Sequence, residues 1–467
     1  MTDSIVEQLA AFSDCTSFVQ LPCRVIDEIK RLVLDSLGCA LAAGSESGSR
    51  IAIEYGRILS GSSGEATIIG ASGRASVFGA AFANAELVLA LDYDAVMQPG
   101  HVTPYVLPPA LALAESLGRS GQDLIVSLAV AHEMSYRFGE AMGPLRWYDD
   151  GQCSVAPVFG YSSTVFGATA AVGLIRKLPQ DVLASALGIA GGIAPVNAKL
   201  AWIKHAPSTT IKHLPPGVLT QTALTAAHLA EFGHRGDLQL LDDTEYGYPR
   251  FTGASHWDPG RITAGLGSDW RFPDRVVYKR YPNCSIMHPM LDSVIGIVEA
   301  NHLDPHEIEG IAAWGEAFFE QPIWLNRTIE TVRDAQYSIA HCLAAAAHLV
   351  PIGKEWQEFD FVFSPSVLAL MDKVTFHAHP GSGGAASSTR VEISARGRTF
   401  VHEQDGESSG SRVMTTEELI AKFHSNADGV ITQSDVKRVV DAVLNLDAVT
   451  DIGTIMDLLT PAVAPRL

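Results

Sequence analysis

Basic residues are scarce in this chain: 33 lysines and arginines stand against 52 acidic residues, giving a formal net charge of −19 over 467 residues. Nucleic-acid binding relies on basic surface to neutralise phosphates, so this balance excludes such a partner, and an anion site has to be a local basic cluster. Apolar runs of about 18 residues, the length that spans a bilayer, are also missing, and the start Met1-Thr-Asp-Ser-Ile has no basic segment followed by an apolar one. The reading is a cytoplasmic protein with no membrane partner. Cysteine is sparse. Cys15, Cys23, Cys39, Cys153, Cys284 and Cys342 form no CxxC pair and lie in apolar contexts, which predicts a reduced compartment and buried thiols. There is no Walker loop, no GxGxxG between strand and helix, no HExxH and no GxSxG. The small apolar run Gly188–Ala194 suits close helix packing better than phosphate binding. Together these absences favour acid/base chemistry without a cofactor.

What is present is apolar and small. Hydrophobic residues make up 47% and charged residues 18%, with Ala and Gly dominating the apolar stretches, the composition of a compact, largely helical enzyme. The length exceeds the roughly 250–300 residues at which single cores stop growing, so more than one domain is expected. Residues 24–43 place Ile26, Ile29, Val33, Leu37 and Ala40 at steps of three and four before Gly44, an amphipathic helix. Further helices are expected over 50–59, 77–91, 108–117, 122–142, 165–176, 179–190 and 217–232, with Gly118 and Gly233 as left-handed caps. A short strand-like run, Ala66–Gly70, lies within the Gly/Ser-rich connection from Ser60 to Ser76. Beyond Trp270 the pattern turns β-like at 276–282, 308–314, 373–379 and 390–396, with helices at 285–302 and 335–349. Gly381–Ser388 and Gln404–Ser411 read as polar turns. The tail is helical again over 415–424, 433–445 and 451–459, its first segment opened by the capping sequence Thr-Thr-Glu-Glu. The fold class is mainly α: a large helical domain over residues 1–268, completed by the C-terminal helices 412–467, and a smaller α+β lid domain over 269–411.

Three clusters carry chemistry. The first is the polar interruption Leu91–Ala110, which holds Asp92, Asp94, His101, Thr103 and Tyr105 between two apolar helices. Asp92 and Asp94 share a side of an extended segment, where they can make a general base or cap the next element. His101 follows Pro99-Gly100, where glycine permits close backbone approach and imidazole titrates near neutrality. The second repeats Lys-His at Lys204–His205 and Lys212–His213 just before a helix N-terminus, an arrangement that suits an anion or a solvated loop equally. In the third, Lys279 and Arg280 leave a strand and His288 enters the next helix; lysine offers a point charge to a carboxylate, arginine a bidentate grip. Cys284 and His288 are spaced to share a helix face, but no third ligand is close in sequence, so no metal is assigned.

The chain resembles the MmgE/PrpD family in Leu34–Gly44, the Leu91-Asp-Tyr-Asp loop with His101, Ala184–Gly191, the Lys212 segment, Tyr278-Lys-Arg-Tyr-Pro282 with His288, and Asp334–Ala340. The match runs in order along nearly the whole chain. That resemblance implies a helical domain and a lid domain with the active site between them, a homodimer, no required cofactor, and dehydratase, decarboxylase or epimerase activity. It also implies catalytic roles for Asp92, His101, Lys212 and Lys279. Thr103, Tyr105, Lys204, His205, Arg280 and His288 are the candidate substrate contacts around them. Two positions depart from the family pattern: Ala95-Val96-Met97 replaces a polar run, and Val158 stands where a second active-site histidine is usual.

The expected reaction is proton transfer α to a carboxylate on a small di- or tricarboxylic acid, with the lysines stabilising enediolate-like charge. A lyase is favoured. The alternatives are an isomerase, because of Val158, and a catalytically silent carboxylate binder.

Overall fold

The computed structural model describes residues 3–62, 64–149, 152–158, 160–195, 199–211, 215–379, 388–404 and 413–461. Helix Cys23–Ala42 sets the architecture. Its first turns bury one face, through Val25 and Ile29, but every residue from Leu32 to Ala42 is buried, so the helix ends up enclosed on all sides. Helices Val77–Ala90, Thr103–Ser116, Gly121–Met142, Thr164–Arg176 and Pro216–Glu231 pack with it or with one another. Alanines and glycines allow these approaches: a Cβ on Gly56 would stand 2.6 Å from the carbonyl oxygen of Gly79. Gly118 and Gly233 take positive φ beyond their helices, as their positions predict.

The tail returns to this helical body. Helix Thr416–Ala427 opens with the expected capping box between Thr415 and Glu418 and packs on Cys23–Ala42. Lys422 from its middle reaches Asp35 of the buried helix at 2.7 Å. Farther on, the Gly121 amide donates to the Val449 carbonyl and the Ile452 amide to that of Arg119.

The four-stranded sheet has the order Arg398–Gln404, Thr389–Ala395, Ile308–Gly315, Val374–Ala378; only its last pair is parallel. Alternate residues Val391, Ile393 and Ala395 are buried, and helices His288–Asn301 and Ile339–Ala347 pack against the sheet.

Several expectations need correction. The fifth long helix starts at Thr103 rather than Pro108, with Pro104 in its first turn and Pro108 and Pro109 inside it. Proline is tolerated in a first turn, and burial of the whole segment outweighs the lost amide donors farther in. Residues 276–282 form no strand: one isolated bridge joins Val277 to Val96, because the facing strand is only Val96–Met97. A strand at Arg398–Gln404 and a hairpin of Arg146–Asp149 with Gln152–Val155 were not anticipated. The first is an edge strand, exposed and charged, without the alternation that marks a half-buried one. Of the six free cysteines only Cys39 and Cys342 are buried, while Cys15 and Cys23 are exposed beside turns at helix ends. Among the described residues no helix is long and apolar enough to cross a membrane.

Candidate active site

The site grows from the C-terminal end of helix Val77–Ala90, where the last carbonyls of a helix lack partners of their own. Side chains from distant segments take them. Gln336 donates to Ala90 O and Gln357 to Leu91 O, both at 2.9 Å, and Lys279 Nζ reaches Asp92 O at 2.9 Å. Asp92 itself turns the chain with φ +50°, a region L residues seldom occupy. The same ammonium lies 2.5 Å from Asp92 Oδ1, so one lysine holds both the strained backbone and its carboxylate.

The chain then passes Asp94 and forms the small hairpin Val96–Met97 with Gly100–His101. Glycine is required at its return: Gly100 has φ +145°, and a Cβ there would lie 2.7 Å from the Tyr161 hydroxyl. The hairpin brings His101 back over the two aspartates. His101 Nδ1 is 2.7 Å from Asp94 Oδ2, and Nε2 is 3.3 Å from Asp92 Oδ1. All three side chains are buried. Behind them Asp35 accepts from the Ala95 amide at 3.0 Å, and Lys422 Nζ bridges Asp35, Tyr93 O and Lys279 O. Burial alone would pull the Lys422 ammonium toward neutrality, but Asp35 beside it outweighs that, so its proton is held more tightly than usual.

Both imidazole nitrogens thus face carboxylates. A neutral ring carries one N–H and can satisfy one of them; an imidazolium donates to both. With His101 protonated, two carboxylates and two cations, His101 and Lys279, balance. The donor atoms of Asp92, Asp94 and His101 lie within 4.8 Å of one another, close enough to share a metal ion. The Lys279 ammonium already sits on the Asp92 oxygen, so the donor set fits proton sharing better than metal binding.

A cavity of about 180 Å³ opens in front of Asp92, His101 and Lys279. Much of its remaining wall is apolar: Val96, Leu145, Trp202, Ile286, Phe318 and Trp324. Trp202 meets Tyr337 edge-on, ring centroids 4.7 Å apart, and Phe318 lies 4.5 Å from Trp324. Arg146 also lines the cavity, but its guanidinium is forked onto Glu316, with Nη2 2.8 Å from Oε2, and stacks over Phe318.

The structure therefore brings together Asp92, His101 and Lys279 of the expected set. Lys212 lies outside the described residues. The other candidates fall elsewhere and are corrected here. Thr103 has become helical and bonds His132 at 3.0 Å, and Tyr105 is fully buried beneath Tyr161, because the helix begins earlier than its prolines suggest. Lys204 and His205 are exposed at the end of helix Lys199–Lys204, with Lys204 bonded to Gln321. Arg280 turns outward to Asp292, as expected of a residue next to an inward-facing Lys279 in extended chain. His288 packs edge-on against Tyr281 outside the cavity lining; burial, then the nearby Lys279 charge, hold its ring neutral, its pKa pulled down to about 3. Val158 is half-buried beside Gly253 and lines no part of the cavity.

Sequence reasoning undervalued Asp94 and missed the apolar wall. The aspartate's position two residues from Asp92 was compatible with a cap, and nothing in the sequence marks Arg146, Phe318 or Trp324. Trp202 and Tyr337 did stand inside stretches singled out for other residues. Asp334, within one of those stretches, accepts from the Ser208 amide at 2.9 Å and so ties the Lys204–Ser208 segment to helix Val332–Tyr337.

Comparison with known proteins gives one family over both parts of the chain. The family model of the MmgE/PrpD N-terminal domain matches residues 7–259, and that of the MmgE/PrpD C-terminal domain matches 281–448. The chain is 26% identical over 491 residues to human cis-aconitate decarboxylase, covering 100% of this chain and 97% of that protein. It is 25% identical over 475 residues to a cis-aconitate decarboxylase of Aspergillus terreus, covering 94% and 92%. A cis-aconitate decarboxylase of Mus musculus is 25% identical over 484 residues, covering 98% and 94%.

Proposed function

Because this chain belongs to the MmgE/PrpD family, we propose that it is a lyase which removes carbon dioxide or water from a small carboxylic acid held against His101. The observation that carries this reading is the position of His101 at the cavity wall, between Asp94 on Nδ1 and Asp92 on Nε2. A ring held this way can, once protonated, deliver its Nε2 proton to a substrate in the cavity. In decarboxylation the C–C bond to the departing carboxylate breaks, its electron pair remains on the substrate as an enediolate-like anion, and the proton passes to carbon. In dehydration Asp92 takes a proton from the neighbouring carbon, and the protonated ring gives its Nε2 proton to the hydroxyl, which leaves as water. Asp94 positions the ring. Lys279 holds the Asp92 carboxylate beside the ring, and Lys212, whose role rests on sequence motif, supplies the positive charge that lowers the energy of the anion.

The activity of these relatives makes decarboxylation the first reaction to try. Domain limits of 1–268 with 412–467, and 269–411, and a homodimeric assembly belong to the same reading; light scattering tests the assembly.

The deciding experiment incubates the purified protein with a panel of carboxylic acids in D2O and follows deuterium incorporation and products by NMR. Deuterated product is expected with at least one acid, falling on the order of 10²-fold or more in His101→Ala. The absence of both deuterium incorporation and a decarboxylated or dehydrated product with every acid, or full activity in that variant, overturns the proposal. Epimerisation shares the intermediate and would show as inverted substrate with every carbon retained.

A further inference from the structure

The charges around the cavity limit what it can take. Apart from His101, which lies between Asp94 and Asp92, the cationic side chains among its described lining residues, Lys279 and Arg146, are each committed to a carboxylate of the protein: Lys279 to Asp92 at 2.5 Å, Arg146 to both oxygens of Glu316. Asp92 and Glu316 cancel them. Even if Lys212 is granted wholly to substrate, it matches one carboxylate. A further carboxylate would lie against a described lining that is largely aromatic and aliphatic, where an unpaired buried carboxylate is strongly disfavoured.

That wall is continuous. Val96 comes from the hairpin that carries His101, Leu145 from the segment before Arg146, and Trp202, Ile286, Phe318 and Trp324 from four further segments of the chain. Val96 belongs to the apolar run Ala95-Val96-Met97, which lies between Asp94 and His101 in the chain.

We infer that the substrate of this chain is an acid with an alkyl or aryl substituent, which the apolar wall takes in preference to a further carboxylate. The inference rests on the proposal that this cavity is the reaction site. The reacting carboxylate faces His101, and the substituent lies against Trp202, Phe318 and Trp324.

Two probes share a succinate core and differ in one substituent: phenylsuccinate carries a ring where tricarballylate carries a carboxymethyl group. Their binding to the full-length protein is measured by isothermal titration and by quenching of tryptophan fluorescence. Phenylsuccinate is expected to bind at least tenfold more tightly, and Leu145→Arg or, independently, Ile286→Lys to narrow or reverse that preference by adding an uncommitted cation to the wall. Equal or tighter binding of tricarballylate to the unaltered protein overturns the inference, and deuterium incorporation from the acid panel, if present, leaves the lyase reading standing. Binding of neither probe also overturns it; the lyase reading then falls as well only if no acid in the panel incorporates deuterium or gives a decarboxylated or dehydrated product.

Discussion

Asp94 acts on the candidate site through one hydrogen bond, the 2.7 Å contact that fixes the His101 ring. In Asp94→Asn the amide can still accept from Nδ1, but the charge that favours the imidazolium is gone. Turnover is expected to fall on the order of 10²-fold with KM little changed, and the alkaline limb of the rate profile, where the proton donor is lost, to move to lower pH. Steady-state kinetics across pH checks this; an unchanged profile would show that Asp94 only packs. Lys279→Met should act on stability as well, because it leaves the buried Asp92 carboxylate uncompensated. A loss of about 3–5 kcal/mol is expected from urea denaturation, against near-recovery when Asp92→Asn is combined with it. His132 offers a pH test away from the chemistry. Burial holds its ring neutral and draws its pKa down to about 4 in the folded protein, against about 6.5 when unfolded. The unfolded chain therefore binds the extra proton between those values, and stability present above about pH 6.5 is lost as pH falls toward 4. The unaltered protein should lose about 1.4 kcal/mol per pH unit more than His132→Gln across that window.

At the scale of elements, the hairpin Val96–Met97 with Gly100–His101 is the part whose geometry is least tolerant. Gly100→Ala is expected to reduce turnover at least tenfold, since a methyl group at φ +145° would strike Tyr161; equal activity would mean that Tyr161 can move aside without carrying His101 along. The same region marks how far the sequence could be read. Long helices such as Cys23–Ala42 and Gly121–Met142 were legible because their apolar residues recur at helical spacing, and the sheet strand Ile308–Gly315 because it alternates. Asp92, His101 and Lys279 stood out as polar groups interrupting apolar context or resembling a motif. The helical start at Thr103 did not, because Pro108 and Pro109 signal a stop that burial overrides. Nor did the wall of the cavity, which is assembled from six segments, each contributing one or two residues with no local pattern. Asp94 and Asp92 looked equivalent; only the fold gives one to the ring's Nδ1 and the other to Nε2 and the lysine.

For the whole molecule, the ion pair between Lys422 and Asp35 joins the tail to the central buried helix and stands directly behind the catalytic loop through Tyr93, Ala95 and Lys279. Lys422→Met is expected to cost about 3–5 kcal/mol by leaving Asp35 charged and unpartnered, and Asp35→Asn to recover part of that loss in the double variant; thermal or urea unfolding reads both. Strictly additive losses would show that the two residues do not share one interaction. The two partners are 387 residues apart in the chain. At about 5–20 residues per second of synthesis, that separation means Lys422 is made on the order of 20 to 80 s after Asp35. Throughout that interval the innermost helix of the nascent chain holds a carboxylate with no counter-ion, and the loop bearing His101 has no support from behind. The candidate site is thus among the last parts of the protein to become complete on the ribosome, long after most of its own residues have been joined.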